Sequence, residues 1–192
     1  RNSHISAENY SADAGNSSSF QWQEGEFILG EKDWNSLLES AEQELSSNGA
    51  FTQKRMEILG AYEVALKTED FSVDQGQKQA EVLLEELNIQ NMELHDTEKA
   101  LWFPSGAFPD NEAEDTENRL WLGNPEDGQF AYTYIFSRNI GGLFVDQLES
   151  MTFNEGTQTA YAPPFPVEEI RVTVTADRVV SFDWQGICRE VS

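Results

Sequence analysis

FAYTYIFSR (Phe130–Arg138), LFVDQLESMTF (Leu143–Phe153) and EEIRVTVTADRVVSFDW (Glu168–Trp184) form a ladder of short runs. Apolar and polar residues alternate along them, and Gly141-Gly142 and Ala176-Asp177-Arg178 fall where hairpin turns are needed. An antiparallel sheet with one buried and one wetter face has this pattern. In the first run Tyr132, Tyr134 and Phe136 alternate with Thr133, Ile135 and Ser137, so both faces carry bulk and the strand reads as central. Ile170, Val172 and Val174 make one face of a later strand, and Val180, Phe182 and Trp184 return on a matching face. Ala162-Pro163-Pro164-Phe165-Pro166 is a rigid connector, because proline cannot donate to a ladder.

Upstream the apolar period changes from two to three or four. Asp33 is a good N-cap for a run in which Trp34, Leu37, Leu38, Ala41 and Leu45 form one stripe, with Asn48-Gly49 as the stop. A second helix is expected from about Thr52 to Lys67, with Ile58, Leu59, Tyr62 and Leu66 inward. A third follows Ser72, with Ala80, Leu83, Leu84 and Leu87 as its stripe and Glu81, Glu85 and Glu86 opposite. Each stripe needs a partner. MELHDTEKALWF (Met92–Phe103) then reads as a strand closed by Pro104, and Phe20–Gly30 as a loose strand or strap. Helices early and strands late predict an α+β fold: three amphipathic helices packed on one face of an antiparallel sheet of about five or six strands.

The first 19 residues, RNSHISAENYSADAGNSSS, are rich in Ser, Asn, Ala and Gly. Little apolar surface is available there to offset ordering entropy, so a flexible tether is expected over 1–19 and a single domain over 20–192. The chain starts with Arg1, and the tether reads as lying downstream of a removed export signal or lipid anchor. No run of 18 apolar residues is present, so no membrane-spanning helix is expected.

The net charge is −23, from 35 acidic and 12 basic residues. This excess argues against nucleic acid or an anionic membrane as a direct partner and favours a cationic one. Cys188 is the only cysteine, which rules out an internal disulfide and a CxxC metal site.

A helix reading AEVLLEELNI, an aromatic strand with Phe136, Arg138 and Gly142, and a closing hairpin ending in Phe182 and Trp184 follow one another in the chain. In this order they resemble uncharacterised exported lipoprotein-like domains of Gram-positive bacteria, similar in layout to PepSY and YycH/YycI ectodomains. The resemblance spans about residues 70 to 190. Asp177-Arg178 stands where an acid-Gly turn is expected. Related chains continue beyond this hairpin, so the domain reads as the N-terminal part of a larger ectodomain. The resemblance implies an extracytoplasmic, cell-surface attached or secreted protein with no catalytic residues. The expected function is a non-enzymatic binding or regulatory module that recognises a protein or cell-wall component, with no cofactor. The alternatives are a carboxylate-dependent hydrolase and a PepSY-like protease-inhibitory module.

Candidate site residues are few. His4 and His95 are the only histidines, and neither lies in a ligand or catalytic pattern. Trp102, beside Phe103 and Pro104, reads as an exposed aromatic. Trp102, Tyr132, Tyr134 and Arg138 are the expected contact residues, although the favoured reading of Arg138 is a strand-end arginine paired with a nearby carboxylate. Asp110, Glu112, Glu114 and Asp115 place hard oxygen donors close together and form a candidate calcium site, without the glycine or spacing of an EF-hand.

Overall fold

Backbone pairing explains more of this architecture than composition does. The computed structural model describes residues 3–12, 15–44, 49–105, 125–140, 143–144 and 168–187. Three strands open the chain, β1 (Ser3–Ala12), β2 (Gly15–Glu24) and β3 (Phe27–Gly30). Three helices follow, α1 (Glu31–Glu44), α2 (Gly49–Lys67) and α3 (Val73–Glu86). Then come β4 (Met92–Phe103), a single 3-10 turn (Pro125–Asp127), β5 (Gln129–Ile140), β6 (Leu143–Phe144), β7 (Glu169–Thr175) and β8 (Val179–Ile187). The fold is α+β. Six strands in the order β2-β8-β7-β5-β4-β3 make the body of one antiparallel sheet, β1 extends it beyond β2, and β6 pairs with β5. As its two-sided bulk predicts, β5 is central, between β4 and β7.

The N-terminal tether expectation needs correction. Residues 3–12 and 15–24 pair in register as a hairpin, and β2 adds to the edge of β8. Low hydrophobicity excludes a core, but a strand added to an open sheet edge is held by main-chain hydrogen bonds, which Ser and Asn supply as well as Val does. Phe20 and Trp22 then stand opposite Trp184 and Phe182.

α3 begins and ends where local chemistry dictates. Ser72 caps α3, its hydroxyl accepting from the Gln75 amide at 3.2 Å. Asn88 ends it in the left-handed region at φ 56°, and the Ile89 amide turns back to the Leu84 carbonyl. Ala80 and Leu84 pack with Phe71, Tyr132, Tyr134, Phe136, Ile170, Val172 and Phe182 in the larger core. Leu87, expected in the same stripe, lies past the last turn and is exposed. In a second core, Trp34 of α1 and Leu59, Tyr62 and Leu66 of α2 meet Leu29, Leu101 and Phe103. The first turn of α1 is capped from a distant strand: the Lys32 amide donates to the Glu98 carboxylate at 2.7 Å. A negative charge there satisfies an orphan donor and faces the positive helix end. Gly30 leaves room for this cap: a Cβ at that position would stand 2.7 Å from Glu98 Oε1, and the carboxylate would have to shift.

Register separates two faces. Tyr132, Tyr134, Phe136, Val172 and Phe182 share one; Ala131, Thr133, Ile135, Thr173, Ser181 and Asp183 share the other. The sheet curls toward the second. Strands lie about 4.8 Å apart, so β2 and β4, four places apart, would be roughly 19 Å apart in a flat sheet. Instead the Trp102 indole N–H of β4 donates to the Glu24 carbonyl of β2 at 2.5 Å. Arg178 of the β7–β8 turn lies over the same indole, 5.6 Å from the ring centroid. Only Gly25 and Glu26 separate β2 from β3, which ends the other side of the six-strand body, so the chain itself ties the two sides of that body together. Gly25 has φ 91°, and a Cβ on it would meet Trp102 and the Phe103 carbonyl.

Gly76 of α3 is where helix and sheet come closest, since a Cβ there would collide with the Tyr134 hydroxyl. Gly76→Ala should therefore destabilise by about 1–3 kcal/mol. Tyr134→Phe removes the obstructing oxygen, so the double variant should lose less than the sum of the single losses in urea melts. Simple additivity would contradict the contact.

Candidate functional site: the inner face of the curled sheet

Small side chains allow the sheet to curl. At the tied end the inner face carries Ala100, Ala131 and Val180 against Trp102, with Ile28 alongside. In the middle it carries hydroxyls: Thr133 and Thr173 hydrogen-bond to each other at 3.0 Å, and Ser181 stands beside Thr173. All three are buried. Toward the far end the inner positions become charged, with Glu98 and Asp96 on β4, Arg171 and Glu169 on β7, and Asp183 on β8. Ile135, buried between Asp96 and Arg171 in the register, floors this polar mouth.

Lys32 bridges α1 to this mouth by donating Nζ to Asp96 at 2.9 Å. That hydrogen bond holds Asp96 below the usual carboxylate range and raises Lys32, each stabilising the other's charged form. Arg171 donates Nε to Glu169 at 2.6 Å. Its burial alone would lower its pKa, but Glu169, Glu98 and Asp183 together keep it above its ordinary value. Asp183 moves the other way. Burial pushes its carboxyl up, and neither the Gln185 amide at 2.8 Å nor Arg171 fully offsets that. The mouth therefore holds charges of both signs and one carboxyl that takes up a proton more readily than an exposed aspartate does.

The contact residues expected from sequence are distributed differently. Trp102 is not an exposed aromatic; it is 3% exposed and forms the latch of the curl. Its neighbours Phe103 and Pro104 gave no sign that β2 would return to cover it. Tyr132 and Tyr134 stand on the outer face in the larger core. The Tyr134 hydroxyl donates to the Val73 carbonyl at 2.7 Å. Tyr132 bonds to Glu69, and burial lifts its phenol to about 12. Arg138 pairs with Glu168, a carboxylate 2% exposed that also accepts from the Trp184 indole at 3.0 Å. The four residues are not gathered into one exposed patch. Asp110, Glu112, Glu114 and Asp115 lie outside the described residues, as does Cys188. His95 is exposed at the irregularity in β4, next to Asp96.

Among the described residues, no group of three or more His, Cys, Asp or Glu could hold a metal ion, and no helix is long and apolar enough to cross a membrane. No protein-family model, curated protein or solved structure matches the chain. Sequence reasoning missed Asp96, Arg171 and Asp183. Their signal is a charged residue at an inward strand position, visible only once the register is known.

The opposed shifts have a direct readout. Asp183, raised in the fold, should impose a cost that is absent at low pH and grows as pH rises from the unfolded value, about 3.9, through the folded one. Asp183→Asn should thus stabilise the protein above that window and leave it unchanged below. Asp96 contributes stability above its unfolded value and loses it as pH falls through its lowered folded value, so Asp96→Asn should be destabilising near pH 6 and neutral in strong acid. Thermal melts from pH 2 to 7 on both variants check the signs, and parallel behaviour of the two would refute the assignment.

Proposed function

We propose that this chain is a non-enzymatic extracytoplasmic binding or regulatory module that recognises a protein or cell-wall partner. The observation that carries the reading is the engagement of the two most buried carboxylates among the described residues in structural bonds. Glu98 caps α1 through the Lys32 amide, and Glu168 is held by Arg138 and the Trp184 indole. Carboxylates bound in this way hold elements together. The polar mouth around Arg171, Asp183 and Glu169 is the contact region of this reading. The resemblance to exported lipoprotein-like and PepSY-type domains supports a place outside the cytoplasm, on the cell surface or secreted.

We also infer that all three helices lie against one face of the sheet, the outer one. In support, Leu29, Leu101 and Phe103, which meet α1 and α2, share a face by register with Phe130, Tyr132 and Tyr134, which meet α3. α1 then meets the inner mouth through Lys32 of its first turn.

The full chain, immobilised and exposed to envelope extract, should retain a component that the Arg171→Glu variant retains at least roughly fivefold less, as loss of a charge pair at a contact predicts. Equal recovery by both chains would argue against this surface.

One observation favours a second reading. Asp96 is lowered and Asp183 raised on the same inner face, and carboxyls pushed apart in this way are what a carboxylate-dependent hydrolase uses as base and acid. That reading requires turnover of a glycoside or ester substrate and its abolition by Asp183→Asn; a broad substrate panel with no such Asp183-dependent turnover removes it.

A further inference from the structure

The tied end of the sheet carries a groove that the inner mouth does not account for. It has a volume of about 510 Å³ and lies between the C-terminal turn of α2, the start of β5 and the β7–β8 turn. This falls within the span of small-ligand sites, roughly 300–1,000 Å³. Ala65, Leu101 and Phe130 give it an apolar lining, while Asp70 and Asp177 are exposed along it, one from the link before α3 and the other from the β7–β8 turn.

Among the described residues, two cations near these carboxylates are directed elsewhere. Arg178, next to Asp177, points its guanidinium over Trp102 and toward Glu24, 3.3 Å from its carboxylate. Lys99 pairs with Glu69, next to Asp70, at 2.5 Å. The turn that presents Asp177 is fixed by the Thr175 amide, which donates to the Arg178 carbonyl at 2.9 Å. The groove therefore combines apolar walls with two carboxylates, on a chain of net charge −23.

We propose that this groove receives the lysine or arginine side chain of a basic peptide segment on the partner. A long cationic side chain matches both features: its methylene stem lies along the partly exposed Ala65 and Ala176 while its head reaches the carboxylates. The acidic field of the whole chain steers such a segment inward and speeds its encounter. The inference rests on the reading of the chain as a binding module and names the chemistry of what it binds, at a place separate from the inner mouth.

The test uses the full chain, labelled with ¹⁵N, titrated at 150 mM salt with the blocked peptides acetyl-Gly-Arg-Gly-Lys-Gly-amide and acetyl-Gly-Glu-Gly-Glu-Gly-amide. The basic peptide should shift the amides of Thr68, Gln129 and Ala176 with one common affinity, and the acidic peptide should not. Asp70→Asn/Asp177→Asn, two exposed substitutions compatible with the fold, should weaken that affinity roughly fivefold. Small shifts spread over the whole acidic surface, or an unchanged affinity in the double variant, overturn the proposal. Saturable shifts confined to Arg171 and Asp183 also overturn it, but leave the binding-module reading intact. That reading fails separately, in the extract experiment with the Arg171→Glu variant.

Discussion

The contact between Trp102 and Glu24 sets the shape from which the other features follow. The six-strand body of the antiparallel sheet runs from β2, which β1 extends outward, to the edge strand β3, and β2 and β3 are neighbours in sequence joined through Gly25 and Glu26. So short a link cannot reach across a flat sheet of this width. The strands must curl until Trp102 of β4 meets the end of β2, and the indole hydrogen bond and the Arg178 guanidinium fix them there. Curling toward one face crowds it, which is why Ala100, Ala131, Thr133, Thr173 and Ser181 occupy that face while Tyr132, Tyr134, Phe136 and Phe182 stand on the other. Small inside and large outside is the arrangement a tightly curved sheet can pack.

From this division comes the placement of charge. The inner face is filled at the tied end and polar at the other, so its ionisable side chains gather at the mouth. Those nearest the helices become structural: Glu98 meets the α1 terminus and Lys32 holds Asp96. Arg171, exposed, and Asp183, half-buried, lie farther along with charges of both signs; the surroundings move Asp183 upward and Asp96 downward. A surface of this kind suits recognition, in which matched charges set orientation and partner choice more than raw affinity.

Much of the fold is legible in the sequence where the information is local. Ser72 with its hydrophobic stripe locates α3, the two-residue alternation from Phe130 to Arg138 locates the central strand, and Ala176-Asp177-Arg178 locates the last turn. What is not legible depends on partners distant in the chain. Residues 3–12 read as a tether because their composition cannot build a core, yet a strand laid on an edge needs no core of its own. Trp102 reads as exposed because the strand that covers it lies 78 residues away. Tyr132 and Tyr134 were attractive as contact residues for the same bulk that places them in the core. Arg138 illustrates the limit from the other side: pairing with a carboxylate could be anticipated, but its partner, Glu168, is set by strand register.

If the curl is the constraint on which the site depends, the Trp102 indole proton is its most direct reporter. Two-dimensional NMR on the full chain should show a Trp102 Hε1 resonance with cross-peaks to Glu24 and Gly25 protons and with exchange slowed well beyond that of an exposed indole. A Trp102 Hε1 that exchanges freely and shows no cross-peak to residues 24–26 would mean that the two sides of the sheet body are not joined and that the inner face, with its polar mouth, does not exist.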